Sequence, residues 1–356
     1  MSPALFPFMR IALDVMGGDH GCEVVIGGVR QALDAIPGIT EMHLVGDRVQ
    51  IEAALAKRHF TDPRLRVLHT TEVLTMDDSP LEGVRKKKDS SMVRAIELVR
   101  DGKADAVISP GNTGGLVAGS TFRLRRLDGV ERPAIAALMP SRTQEYILID
   151  AGANHECKPV YLAQFAVMGS VYSREMLGHE KPRVGVLSNG TEESKGTELT
   201  RESARLCQQL NLNFIGYIEG HHLFEDCVDV VVSDGFVGNI VLKTCESMGK
   251  AMLHLLKEGL TATPVRKFGA WLSRGAFTDI KRRMDADLYG GAPLLGLNGT
   301  VIKTHGSARE KAVMNAIRVA TETIQHHLND VITREIAEAN QRLAAIKDTG
   351  PVPAAA

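Results

Sequence analysis

Short apolar runs rich in branched residues alternate along the chain with longer segments whose apolar positions recur every three or four residues. The runs Arg10–Val15, Met42–Val45, Leu65–His69, Ala104–Ser109, Tyr146–Asp150, Arg183–Leu187, Asn213–Ile218 and Val228–Ser233 read as buried strands. Helical patterns fall near 20–35, 47–58, 80–101, 113–127, 159–177, 197–210 and 235–258. Strands that alternate with helices predict a mostly parallel sheet covered on both faces, a three-layer α/β/α architecture. Towards the end, Ser307-Ala308-Arg309-Glu310 has the form of a capping box. Val313, Ile317, Ile324, Leu328, Val331 and Ile336 then repeat at helical spacing, so one long helix is expected to run to about Ala344. The expected organisation is a single large domain over 1–346, with a helical insertion at about 258–287 and a flexible tail at 347–356.

Composition narrows the class. The 356 residues carry 42 Lys+Arg against 43 Asp+Glu, which argues against a uniformly basic nucleic-acid binder and against an acidic disordered chain. Five cysteines, Cys22, Cys157, Cys207, Cys227 and Cys245, are too few and too scattered for a disulfide framework and suit a reducing cytoplasm. No apolar run approaches the roughly 18 residues of a membrane span. The first ten residues lack the pattern of a signal peptide.

The 34 glycines cluster after the apolar runs. Asp14–His20, Ser109–Gly115, Asp150–Asn154, Ser188–Gly196, Ser233–Asn239 and His305–Ser307 are polar, glycine-rich loops at predicted strand ends. In an open parallel sheet such loops are expected together on one edge, where ligands bind. Free N–H groups at helix starts favour anions, and glycine lets a ligand approach the backbone. Any one loop is equally well explained as a tight turn; six together point to a phosphate-bearing ligand. Yet G-x-x-x-x-G-K-[ST], a G-x-G-x-x-G after the first strand, H-E-x-x-H and G-x-S-x-G are all absent. The phosphate site therefore lacks the usual nucleotide signatures.

The segments ALDVMGGDHG, SPGNTGGLVAGS, LIDAGAN, GVLSNGTEESKGTELT, FIGYIEGHHLF, VVVSDGFVGNIVLKTCES and YGGAPLLGLNGTVIKTHGS, in this order from Ala12 to Ser307, resemble the PlsX family. These are the acyl-acyl-carrier-protein:phosphate acyltransferases of bacterial phospholipid synthesis. One departure is Gly114-Gly115, where Gly-Ala is expected. The resemblance implies that inorganic phosphate attacks the thioester of an acyl-acyl-carrier protein, giving acyl phosphate and a free carrier thiol. It also implies a fold similar to isopropylmalate dehydrogenases and phosphotransacetylases, a homodimer, and a downstream glycerol-3-phosphate acyltransferase as a further partner.

Phosphate is itself a nucleophile, so the protein has to hold it near a carbonyl, stabilise the oxyanion and help the thiolate leave. Lys195, His305 and Asn239 are the expected catalytic groups. Asp14, Gly17, Gly18, Asn112, Thr113, Gly114, Asn154, Asp234, Gly235, Gly306 and Ser307 are the expected phosphate and substrate contacts. No metal or other cofactor is expected, since transfer to phosphate requires none. Cys157, Cys227 and Cys245 lie near loops, but no base paired with them is implied, and they read as small core hydrophobes rather than as sites of an acyl intermediate.

Two basic stretches remain. Arg85, Lys86, Lys87 and Lys88 form a solvated helix face or a docking patch for an acidic carrier protein, or in part reach the phosphate pocket. Between Pro264 and Arg283, Val265, Phe268, Leu272, Ala276 and Ile280 form an apolar stripe beside Trp271, with arginines and lysines around it. This is the pattern of a helix lying at an anionic membrane surface, with Phe268, Trp271, Leu272, Arg274 and Phe277 as contacts; a dimer-interface helix is the alternative. The expected location is the cytoplasm, peripherally attached to the inner face of the cell membrane. Two competing functions are a metal-dependent dehydrogenase of the same fold, for which no nicotinamide site is visible, and a non-catalytic scaffold of lipid synthesis. No nucleic-acid partner is expected.

Overall fold

In the computed structural model, residues 8–283 and 290–349 are described. The end of the expected insertion and most of the expected tail lie outside them. The first half of the chain forms β1 (Met9–Asp14), α1 (Gly21–Ala35), β2 (Ile39–Gly46), α2 (Arg48–Lys57), β3 (Leu65–His69), α3 (Pro80–Lys86), α4 (Ser91–Arg100), β4 (Ala106–Ser109), α5 (Thr113–Leu124), β5 (Ala134–Pro140), β6 (Glu145–Ile149) and α6 (Pro159–Leu177). Then come β7 (Arg183–Leu187), α7 (Glu198–Cys207), β8 (Asn213–Ile218), a short 3-10 turn (Gly220–Phe224), β9 (Val230–Val232) and α8 (Gly235–Thr261). The chain closes with α9 (Pro264–Leu272), α10 (Arg274–Arg283), β10 (Ala292–Leu295), β11 (Thr300–Lys303), α11 (Glu310–Gln325) and α12 (Leu328–Thr349).

The described strands form one sheet in the order β3-β2-β1-β4-β11-β10-β5-β6-β9-β7-β8. Period-two alternation sends neighbouring side chains to opposite faces. Ile11 and Leu13 of β1 pack under α1 and α11, whereas Ala12 faces α4. On the other half, Ile147 and Ile149 pack against α6 and α12, and Tyr146 and Leu148 face α8. Both faces are therefore covered, which is the expected three-layer α/β/α arrangement.

The sheet is not parallel throughout. β10 is antiparallel to both β11 and β5, and β5 is antiparallel to β6. Consequently β3, β2, β1, β4 and β11 run one way, and β6, β9, β7 and β8 run the other. The expectation that all six polar loops share one edge is thereby corrected: their strands end on opposite edges. The register brings these edges close. Lys303 at the end of β11 lies opposite Ala292, and Leu294 lies opposite Ile135. The Ile135 N–H in turn donates to Asp150 Oδ1, at 3.0 Å. Two residues of strand, roughly 7 Å at about 3.4 Å each, thus separate the ends of β11 and β6 in height. The two half-sheets are staggered, so the two sets of loops start from neighbouring levels near the middle of the sheet.

Three further differences have local causes. Residues 80–101 form two helices, because the turn at Lys87–Ser90 is held by Asp89 accepting from the Thr71 N–H and hydroxyl. The expected long C-terminal helix breaks at His326-His327, where His327 takes a positive φ of 48°. Ser307 does not cap α11: its hydroxyl pairs with His305 Nδ1, Arg309 takes the cap position, and Glu310 pairs with Arg58 at 2.5 Å.

Candidate active site at the waist of the sheet

On the first edge the loops after β1, β4 and β11 interlock. Asp14 is buried at the end of β1; its Oδ2 accepts from Ser109 Oγ at 2.6 Å and its Oδ1 from the Met16 N–H at 3.2 Å. Burial pushes its carboxyl above the usual range, against the pull of the Ser109 and Ser91 hydroxyls. The Asp19 N–H donates to the Gly306 carbonyl at 2.9 Å, tying the first loop to the last. A side chain at Gly17 would stand 2.7 Å from the Gly111 backbone, so glycine is required there for the two loops to touch. Asn112 is engaged: its Oδ1 caps the Gly115 N–H at 2.9 Å, and its Nδ2 holds the carbonyls of Thr75, Met76 and Asp78. It braces the loop over α5, while the Thr113 and Gly114 amides of the first helical turn have no acceptor among the described residues. Thus Asp14, Gly17, Gly18, Asn112, Thr113, Gly114, His305, Gly306 and Ser307 are brought together.

On the second edge the loops after β6, β7 and β9 gather. Asp150 is fully buried and accepts from the Ile135, Gly152, Ala153 and Asn154 N–H groups and from Asn154 Nδ2. Asn154 also donates to the Pro133 carbonyl at 2.7 Å. Asp234 caps α8 through the Phe236 and Val237 N–H groups at 3.0 and 2.9 Å. Gly235 and Gly238 let that first turn lie directly on the Asp150–Asn154 backbone. Asn239 borders Gly152, and its side chain has no hydrogen-bond partner among the described residues. Lys195 projects from the loop after β7, about half exposed and 3.9 Å from Glu192. Lys195, Asn154, Asp234, Gly235 and Asn239 therefore stand on the opposite edge from His305.

Helix α8 connects the two. It begins on the second edge and crosses β6 and β5, packing Val241, Leu242 and Cys245 on the sheet. Lys243, Glu246 and Lys250 then come within electrostatic range of the first edge. Burial and the nearby Lys243 lower the His305 pKa. Its Nδ1 accepts from the Ser307 N–H at 3.1 Å, so the neutral ring carries its proton on Nε2. In that form His305 offers a hydrogen bond to a developing oxyanion. Lys303, which the sequence reading passed over, ends β11 in the middle of these loops. Its amine is brought down to about 8, chiefly by burial and then by Lys243, while Asp14, Asp19 and Glu246 oppose the shift. The signal was present in the run Thr300–Lys303: a cation closing an apolar strand immediately before His-Gly-Ser.

The basic run on α3 is partly neutralised. Lys86 pairs with Glu82 at 2.8 Å, and Lys87 with Asp78 at 2.6 Å and with the Val73 carbonyl. Arg85 and Lys88 remain exposed without an ion pair among the described residues. The Pro264–Arg283 segment is two short helices that break at Ser273. Val265, Phe268, Trp271 and Leu272 are exposed, Phe277 is half-buried, and Arg274 lies 5.6 Å from the Trp271 ring centre. Among the described residues, no helix is long and apolar enough to cross a membrane.

An α/β fold of this layout is shared with phosphotransacetylases. Those of Streptococcus pyogenes and Staphylococcus aureus (the latter called EutD) superpose with TM-scores of 0.60 and 0.58, at 19% and 18% identity. Each match covers 89% of this chain, and 94% and 95% of the respective relative. The sequence narrows the class: the profile of the family described as fatty acid synthesis protein matches residues 9–331. Proteins named phosphate acyltransferase from Syntrophotalea carbinolica and Geotalea daltonii are 44% and 45% identical over 336 and 331 residues. Those matches cover 94% and 93% of this chain, and 96% and 95% of the relatives. A third, from Akkermansia muciniphila, is 43% identical over 97% of this chain and 99% of the relative. The chain belongs to the phosphate acyltransferase family, the family that its glycine loops resemble.

Proposed function

We propose that the protein transfers a fatty acyl group from acyl-acyl-carrier protein to inorganic phosphate, releasing acyl phosphate for phospholipid synthesis. The observation that carries this reading is the interlocked set of loops after β1, β4 and β11, built without room for side chains at Gly17 and ringed by Lys303, Lys243 and His305. Such a nest suits a small dianion. Phosphate held there attacks the thioester carbonyl, the His305 Nε2–H and the open amides at the start of α5 receive the oxyanion, and the C–S bond breaks to release the carrier thiolate. Asn239 and Lys195, on the other edge, suit the thioester arm of the donor.

Three attachments complete the reading. Arg85 and Lys88 steer the acidic carrier to α3. The apolar stripe of α8, with Ile240, Met248, Met252 and Leu255 exposed, packs against a second copy of the chain. The α9–α10 tip rests on an anionic membrane, which delivers the acyl phosphate to a membrane-bound glycerol-3-phosphate acyltransferase. The test is to incubate the purified protein with palmitoyl-acyl-carrier protein and labelled phosphate, and to extract the acyl phosphate into organic solvent away from free phosphate. Labelled acyl phosphate together with free carrier thiol is the expected result. Thiol release without labelled acyl phosphate refutes the reading, and equal rates with palmitoyl-coenzyme A refute carrier preference.

A further inference from the structure

Half-buried cations elsewhere in the fold have carboxylate partners. Arg10 pairs with Asp105 at 2.7 Å, Arg64 with Asp62 at 2.7 Å, Arg183 with Asp229 at 2.8 Å and Lys87 with Asp78 at 2.6 Å. Lys303 has none. Its ammonium donates to the Pro110 carbonyl at 3.2 Å and to the Thr304 carbonyl, and no carboxylate of a described residue lies within ion-pair distance. An ammonium has three donors. Two are spent on carbonyls that fix its direction, and the third is unclaimed. A half-buried cation left without a counterion still carries a desolvation cost, so a site that keeps one is organised to receive an anion.

The place of this ammonium identifies the anion. Pro110 precedes Gly111 in the loop after β4 and packs against Gly18 of the loop after β1, where a side-chain carbon would meet its ring at 3.5 Å. Thr304 leads into the His305–Ser307 loop. Lys303 therefore grips two of the three loops that form the nest and faces the third. The one carboxyl buried beside it, Asp14, is saturated by Ser109 and backbone N–H groups rather than turned to the amine. The other charged groups that bear on Lys303 are Asp19 from the first loop and Lys243 and Glu246 from α8; His305 and Lys250 complete the electrostatic surroundings.

We propose that Lys303 is the catalytic cation that binds the attacking phosphate, holding one of its oxygens with the free ammonium proton while the carbonyls of Pro110 and Thr304 aim it. This rests on the reading of the nest as the phosphate site, and it gives the gripping role to Lys303 rather than to the exposed Lys195. The ammonium stays protonated throughout: it orients the nucleophile and balances its charge, and gives no proton to the leaving thiolate.

Steady-state kinetics with phosphate and acyl-acyl-carrier protein varied separately test the assignment on Lys303→Met, Lys303→Arg and Lys195→Met. Losing a hydrogen bond to a charged group weakens binding roughly tenfold to a hundredfold. Lys303→Met is expected to raise the KM for phosphate by that factor and to leave the KM for the thioester within about threefold. Lys303→Arg is expected to recover part of the loss, and Lys195→Met to leave the phosphate KM unchanged. In the native enzyme kcat/KM for phosphate falls as pH rises through about 8, where Lys303 loses its proton, and Lys303→Met removes that limb. An unchanged phosphate KM in Lys303→Met, or a rise shared equally by both substrates, overturns the assignment. Equilibrium dialysis with labelled phosphate reads the same difference without turnover. If the native enzyme makes no acyl phosphate yet binds phosphate through Lys303, the activity is wrong and the site stands; if phosphate binding ignores Lys303→Met, the site is wrong. Should Lys303→Met not fold, Lys303→Gln decides by dialysis: phosphate affinity unaltered by loss of the cation overturns the assignment.

Discussion

Replacing Trp271 and Leu272 with glutamate is the sharpest test of the membrane tip. Val265, Phe268, Trp271 and Leu272 on α9 are 81%, 62%, 57% and 64% exposed, so most of their apolar surface faces outward. Full burial of such a side chain contributes about 1.5–3 kcal/mol, so sinking the exposed part of all four into a headgroup boundary supplies roughly 4–8 kcal/mol. Trp271 and Leu272 account for about half, roughly 2–4 kcal/mol, before any repulsion between the new carboxylates and anionic lipid. That corresponds to a drop in membrane partitioning of roughly thirtyfold to a thousandfold. The measurement is co-sedimentation with vesicles of phosphatidylglycerol and phosphatidylethanolamine over a range of lipid concentrations. Native binding is expected to weaken with added salt, because Arg266, Lys267 and Arg274 flank the stripe. The Trp271→Glu/Leu272→Glu protein is expected to stay in the supernatant while turning over soluble acyl-carrier substrate at the native rate. If the doubly substituted protein sediments with the native lipid dependence, the tip is not the attachment, and the exposed stripe belongs to a protein contact.

Three other outcomes follow from the geometry. Asp150→Asn puts a donor NH₂ where a carboxylate oxygen accepts from backbone N–H groups, leaving those donors unpaired, and is expected to lower unfolding free energy by about 2–4 kcal/mol in urea titration. Gly238→Ala drives a methyl into the Asp150 carbonyl, so α8 has to lift; a loss of roughly 1–3 kcal/mol is expected, with a matching fall in turnover. The Asp226 carboxylate is held down to about 2, first by the Thr143 hydroxyl. Its folded pKa is depressed, so its stabilisation is present above about 4 and lost as pH falls towards 2; Asp226→Asn is expected to flatten that part of the acid-unfolding curve, read by circular dichroism.

Much of this fold is visible in one sequence because its strands are buried on both faces. Continuous apolar runs such as Tyr146–Ile149 stand out against amphipathic helices. The strands that escaped are β5, β10 and β11. The last two are four residues each and lie within a proline- and glycine-rich stretch, where run length no longer separates a strand from a loop. Missing them hid the three successive antiparallel pairings, and with them the fact that the loops sit on opposed edges. Site residues were legible by type, since glycine, asparagine and aspartate mark the loops. Their roles were less so: whether Asn112 faces a ligand or braces Thr75, Met76 and Asp78 depends on a loop 34 to 37 residues away in the chain. Lys303 was hidden for a similar reason, because only the folded register shows that its neighbours are carbonyls.

The placement of β10 and β11 has a consequence for how the chain acquires its shape. These strands come from residues 292–303, yet they fill the centre of the sheet, between β4 and β5. During synthesis the two half-sheets can each gather locally, but the seam joining them stays open until the last sixth of the chain has emerged. A protein truncated before residue 292 is thus deprived of its middle rather than of an edge, and presents two raw strand borders suited to pairing with other chains. Nascent chains of this protein are expected to need shielding late, when the closing hairpin is still inside the ribosome.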